Sequence, residues 1–219
     1  MFEVVERDDG WIGVSDAAAY FAPLTGWPEL ERDAYPEITG RVLDVGCGAG
    51  RHAQVLTAGG REVVGIDSSP GAVDVARARG VDARQASVRA LPTTIPPVDV
   101  VLLFGTNVAL LGGEREAPAV LEELARVAAP GARVIASGTD PYATANSAHL
   151  AYHDRNRERG RLPGHLRLRV RHGRLATEWF DYVLRSEAEL RGVVADSPWR
   201  WVGTRRTGSG GYVMTAELH

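Results

Sequence analysis

The 219-residue sequence predicts an α/β fold, a mostly parallel sheet with helices on both faces. Three observations carry this. Short β-branched apolar runs recur along the chain, helical stretches with start and stop signals separate them, and a strand hairpin follows the last helix. The runs fall at residues 42–45, 63–66, 98–104 and 133–136. Each is too short and too β-branched for a helix and is apolar on both faces, as buried parallel strands are. A weaker strand is expected over 81–85. Between the strands, Ser69 and Pro70 mark an N-cap and a first helical position, and Gly80 stops that helix. Residues 116–128 place Val120, Leu121, Leu124 and Val127 on one stripe, and Pro130-Gly131 is expected to end the helix before the next strand. Ser186-Glu187-Ala188-Glu189 reads as a capping box opening a helix to about residue 195. Residues 199–206 and 212–218 are strand-like, and Gly208-Ser209-Gly210-Gly211 turns one into the other, so an antiparallel strand is expected at the sheet edge.

One connection is too long. Over forty residues separate the strand ending near Gly138 from the Ser186 helix, far more than a simple loop needs. A helix is expected over about 144–158. A hairpin follows, in which Leu166, Leu168 and Val170 alternate with Arg167, Arg169 and Arg171 and His172-Gly173 leads into a second strand over 175–184. A structured insert of this size is expected to cover a ligand.

Composition removes several mechanisms. All 25 basic residues are arginine, so there is no lysine for Schiff-base chemistry or for a P-loop. The simplest reading of that usage is coding bias. The single cysteine, Cys47, rules out disulfide frameworks, CxxC redox pairs and multi-cysteine zinc sites. A formal charge of -3 argues against a protein built to coat nucleic acid. Residues 1–10 show no signal-peptide pattern, and no stretch approaches the roughly 18 apolar residues of a membrane span. A cytoplasmic protein with no membrane contact is expected, as a monomer or homodimer.

The most informative stretch is Val42-Leu43-Asp44-Val45-Gly46-Cys47-Gly48-Ala49-Gly50-Arg51-His52, a buried strand running into a glycine-rich turn that opens a helix. Such a turn lets the backbone approach a nucleotide-like ligand with no Cβ in the way. Dinucleotide folds use GxGxxG, whereas here the third glycine comes one residue early. An acidic residue followed by GxGxG resembles the first motif of the class I S-adenosylmethionine-dependent methyltransferases. The strand ending in Asp67, about 20 residues beyond the loop, supplies a carboxylate able to accept two ribose hydroxyls. The resemblance implies a Rossmann-like seven-stranded sheet with an antiparallel last strand and S-adenosylmethionine as cofactor. It also implies a cofactor site made of Tyr20, Asp44, Gly46, Cys47, Gly48, Gly50, Asp67, Ser68, Ser87, Val88, Phe104 and Gly105. Where relatives carry an acidic residue beside adenine, this chain has Ala86-Ser87-Val88. One domain is expected, in four parts: an N-terminal helical cap (1–39), the cofactor-binding core (40–138), an inserted helix and hairpin lid (139–185), and a terminal helix with strand hairpin (186–219).

The acceptor side is marked mainly by absences. After the central strand stands Phe104-Gly105-Thr106-Asn107, not the Asn/Asp-Pro-Pro-aromatic tetrad of adenine amino-methylation, and one cysteine cannot run the two-cysteine scheme on cytosine. A small-molecule acceptor is expected. Candidates for its pocket are Asp140, Tyr142 and the catalytic candidates His149, Tyr152 and His153, with the two histidines four apart on one helix face. No third metal ligand accompanies that pair, so no metal site is assigned. Trp179, Phe180 and Tyr182 read first as packing residues, and Tyr20, Phe21 and Trp27 suit the cap. Residues 154–174 hold eight arginines against Asp154 and Glu158, which reads most simply as the solvent face of a hairpin. Nucleic acid is therefore disfavoured as a partner. Three alternatives stay open: an RNA methyltransferase using this hairpin, a non-catalytic cofactor-binding protein, and a nicotinamide-dependent oxidoreductase.

Overall fold

A computed structural model describes residues 2–219. The chain starts with β1 (Phe2–Arg7) and β2 (Ile12–Asp16), passes through short 3-10 turns into α1 (Glu29–Ala34), and enters the core with β3 (Arg41–Val45). There follow α2 (Arg51–Ala58), β4 (Glu62–Asp67), α3 (Pro70–Ala78), β5 (Asp82–Gln85) and β6 (Val98–Leu103). Next come α4 (Ala117–Arg126) and β7 (Ala128–Thr139). The insert contains α5 (Ser147–Glu158), β8 (His165–His172), β9 (Leu175–Ala176) and β10 (Phe180–Val183), and α6 (Glu187–Ala195), β11 (Trp199–Arg206) and β12 (Gly211–Leu218) complete the fold.

The main sheet has seven strands in the order β11-β12-β7-β6-β3-β4-β5, with β3 to β7 parallel. Strand order reverses between β3 and β6, so the carboxyl ends of those strands form the crevice where open α/β sheets bind ligands. The parallel strands are apolar on both faces because helices cover both: Val42, Leu43, Val100, Val101 and Leu102 are fully buried. Two helix starts form as their residues dictate. The Ser69 hydroxyl accepts from Ala72 N at 3.3 Å, and in the Ser186 capping box Glu189 accepts from Ser186 N at 2.8 Å while donating its own N–H to Ser186 Oγ at 3.3 Å.

Three expectations need correction. The N-terminal 1–39 segment is not a helical cap throughout, because residues 2–16 form a β1–β2 hairpin. Its alternating residues find a partner far along the chain, Val4 opposite Arg171 and Val5 opposite Val170, giving a second sheet ordered β10-β8-β1-β2 with β9 on β8. The antiparallel strand, β12, is not at the edge but lies between β7 and β11. Val213 and Met214 are buried there, while β11, carrying Arg200, Arg205 and Arg206, suits the edge. Pro130-Gly131 does not precede the fifth core strand but sits inside β7: Val98 pairs with Ala128 and Val100 with Arg133, so the Pro-Gly pair is accommodated where the register slips. Among the described residues no helix is long and apolar enough to cross a membrane.

Val120, Leu121 and Leu124 of α4 pack into the larger core cluster with Leu103, Val134 and Trp199, whose indole N–H donates to Leu121 O at 2.9 Å. Leu124 is fully buried. Leu124→Ala is expected to cost about 3 kcal/mol through lost transfer and the cavity left behind, read as a lower urea midpoint at unchanged slope.

Candidate active site

The 46–50 loop leaves β3 at the crevice. Gly46, Gly48 and Gly50 all have left-handed backbones, with φ of 71°, 55° and 79°. Two of them are also required by packing. A Cβ on Gly46 would lie 2.6 Å from the Asn107 amide, and one on Gly50 would lie 2.9 Å from Val81. A Cβ on Gly48 would meet nothing within 4 Å, so this glycine faces open space, as a loop over which a ligand passes must. Loop and second motif are joined directly. Asp67 Oδ2 accepts from Gly48 N at 2.9 Å and Oδ1 from Ser69 N at 2.8 Å. Each oxygen keeps acceptor capacity, which is what a ribose diol needs. Ser68 is exposed beside Asp67, and Ser87 and Val88 follow β5, which pairs with β4 through Asp67 and Gln85. Asp44 is buried beneath the loop, and that burial raises its pKa. Cys47 points down onto Gly65 and packs with Ala53, Val73 and Val81, and burial pushes its thiol pKa up.

The second half of the crevice is the turn after β6. Phe104 is buried, edge-on to Trp27 and His52, so its ring belongs to the core. Gly105 is exposed with φ 75°, and Thr106 follows at φ 68°, the one non-glycine residue with positive φ among those described. A β-branched residue held there costs of the order of 1–3 kcal/mol and persists only where its surroundings fix it. Here they do. Gly105 N donates to Glu31 Oε1 at 2.7 Å, Thr106 N to Ser137 Oγ at 3.0 Å, and Ser137 Oγ to the same Glu31 oxygen at 2.7 Å. The Tyr182 hydroxyl donates to Thr106 O at 2.8 Å. The Asn107 amide donates to Val45 O at 3.0 Å and Gly46 O at 2.9 Å, tying this turn to the glycine loop.

Glu31 is the buried hub of these bonds. Its other oxygen accepts from His52 Nε2 at 3.2 Å, and the Arg51 guanidinium lies 3.6 Å away. Burial works against its ionisation, but the His52 bond, the Gly105 N–H and the Ser137 hydroxyl outweigh it and hold the carboxyl below the ordinary value. Sequence reasoning missed Glu31. A signal existed: Trp27, Glu31, Ala34 and Ile38, at helical spacing, are all buried.

The catalytic candidates of the insert make their contacts with the N-terminal hairpin and Tyr142. The Tyr152 hydroxyl donates to Asp8 at 2.6 Å, and its ring lies 4.1 Å under the Arg7 guanidinium. His149 packs edge-on against Trp11, and buried His153 against Tyr142; burial, with Arg157 and His149 nearby, lowers the His153 pKa. These contacts seat α5 against the β1–β2 hairpin and Tyr142. Tyr20 lies nearer the site, its hydroxyl donating to Glu3 at 2.6 Å while Arg51 donates to the adjacent Ala19 O. Arg167 pairs with Asp181, and Arg169 and Arg171 both pair with Glu6, so the arginine face is largely matched.

A glycine loop and a strand-end carboxylate meet at the reversal point of this α/β sheet. Residues 42–131 match the family model described as a methyltransferase domain. A ubiquinone biosynthesis O-methyltransferase from Hahella chejuensis (strain KCTC 2396) is 34% identical over 128 residues, 53% of this chain and 52% of that protein. The chain thus spans about half the length of the curated relative it matches. The fold is shared with a SAM-dependent methyltransferase from Bacteroides fragilis in complex with S-adenosyl-L-homocysteine. That likeness has a TM-score of 0.82 and 22% identity and covers 100% of this chain and 88% of that one. The CcbJ methyltransferase from Streptomyces caelestis also shares it, with TM-score 0.68 and 19% identity over 92% and 95% of the two chains. Residues 42–131 thus resemble a methyltransferase domain, and the whole chain shares the fold of these solved SAM-dependent methyltransferases.

The depressed Glu31 pKa fixes the sign of a pH effect. Its stabilisation is complete above the ordinary carboxylate value of 4.5 and is lost as pH falls through the lower native value. Glu31→Gln is expected to lower the melting temperature at pH 7, with the gap to wild type closing as melts are recorded at progressively more acid pH.

Proposed function

We propose that the chain binds S-adenosylmethionine over the 46–50 loop and transfers its methyl group to an oxygen or nitrogen of a small-molecule acceptor held beneath the insert. The observation carrying this reading is Asp67, whose two oxygens are each fixed by one backbone N–H beside the open space at Gly48. The carboxylate takes the ribose hydroxyls and the glycine loop passes the methionine part, with Ser68, Ser87 and Val88 on the base side. The bound sulfonium supplies an already activated methyl group. What remains for the protein is to orient an in-line nucleophile and keep water out. The 105–107 turn and the second sheet, with Tyr182 and Tyr20, serve that purpose. The name of the Hahella chejuensis relative favours oxygen as the accepting atom. A small acceptor is favoured over RNA because Arg167, Arg169 and Arg171 are each already paired with a carboxylate, Arg167 with Asp181 and the other two with Glu6.

Asp67→Ala removes two charge-assisted contacts to the ribose. It is expected to weaken S-adenosylhomocysteine binding by about 100-fold in calorimetric titration, from about 1.5 kcal/mol or more per bond. Gly48→Ala places a methyl group where the protein has no atom of its own and is expected to remove binding while the fold survives. Wild-type affinity in either variant would refute the assigned site.

A further inference from the structure

Tyr182 belongs to the insert, yet its hydroxyl bonds to the backbone of the core. On β10 it pairs with Leu166 of β8, and from there it donates to Thr106 O at 2.8 Å. The bond falls on the one left-handed non-glycine residue among those described. On the opposite side the same turn is held by Glu31 through Gly105 N and by Ser137 through Thr106 N. Asn107, the next residue, carries two hydrogen bonds to the start of the glycine loop. A peptide that relaxed at Thr106 would therefore drag Asn107 away from Val45 O and Gly46 O and disturb the loop over which the cofactor passes. Threonine does not choose this conformation unaided.

We propose that Tyr182 is a positioning residue, clamping Thr106 in its left-handed conformation from the insert side so that insert and cofactor loop are set by one hydrogen bond. The inference rests on the reading of the 46–50 loop as the cofactor site. Two consequences follow. Cofactor affinity depends on a residue over 130 positions from that loop in sequence, with no need for Tyr182 to touch the cofactor. By reciprocity, a bound cofactor steadies the insert.

The test is calorimetric titration with S-adenosylhomocysteine of the wild type, Tyr182→Phe, Thr106→Gly and the double variant, with melting temperatures alongside. Tyr182→Phe keeps the ring and loses only the hydroxyl. It is expected to bind about 10-fold more weakly with little change in melting temperature. Glycine adopts the left-handed conformation unaided, so Thr106→Gly makes the clamp redundant: the double variant is expected to bind within about twofold of Thr106→Gly alone. Wild-type affinity in Tyr182→Phe, or an undiminished loss in the Thr106→Gly background, would overturn the clamp while leaving the cofactor site intact. Failure of the wild type itself to bind would overturn the cofactor reading and the clamp with it.

Discussion

A single carboxylate gathers the crevice. Glu31 takes one oxygen to Gly105 N and Ser137 Oγ and the other to His52, and so joins α1, the turn after β6, β7 and α2. Each of these elements could form alone from its own pattern. Their mutual placement at the carboxyl end of the sheet could not, because a buried acid tolerates burial only when its lone pairs are filled by groups held at fixed positions. The turn after β6 shows the result. With its two amides held by Glu31 and Ser137, Thr106 stays left-handed, Asn107 reaches the glycine loop, and the two halves of the crevice act as one surface.

How far the sequence discloses this depends on the range of the interaction concerned. β3, β4, β6 and α6 lie where their runs and caps put them, because a doubly buried strand and a capping box are written in adjacent residues. Gly46, Gly48, Gly50 and Asp67 were legible for the same reason: a positive φ and a strand-end acid are local demands. The N-terminal hairpin was not legible, since β1 pairs locally with β2 but has its other edge covered only by residues some 165 positions away. Nor was the bulge around Pro130-Gly131, where a helix-stopping pair is absorbed by a register slip in a neighbouring strand.

In the insert, the residues singled out by their type are engaged in packing contacts. Histidines four apart and a tyrosine between them suggested acid–base work. In the structure Tyr152 is spent on Asp8 and Arg7, and the histidines on Trp11 and Tyr142. The groups that reach the crevice are Tyr182 and Tyr20, whose pKa values burial, aided by Glu3 at Tyr20, pushes up. A phenol held in that state stays protonated and remains a hydrogen-bond donor.

β8 bears on how such a site could open. It is flanked by β10 on one side and by β1 on the other, so the insert is not a hairpin free to flap on two hinges. Its backbone is stitched along one margin to residues from the opposite end of the chain. Peeling it away would break a ladder, at a cost far above that of a loop motion. Lifting the insert would therefore carry β1 and β2 with it, so that the small sheet moves as one plate.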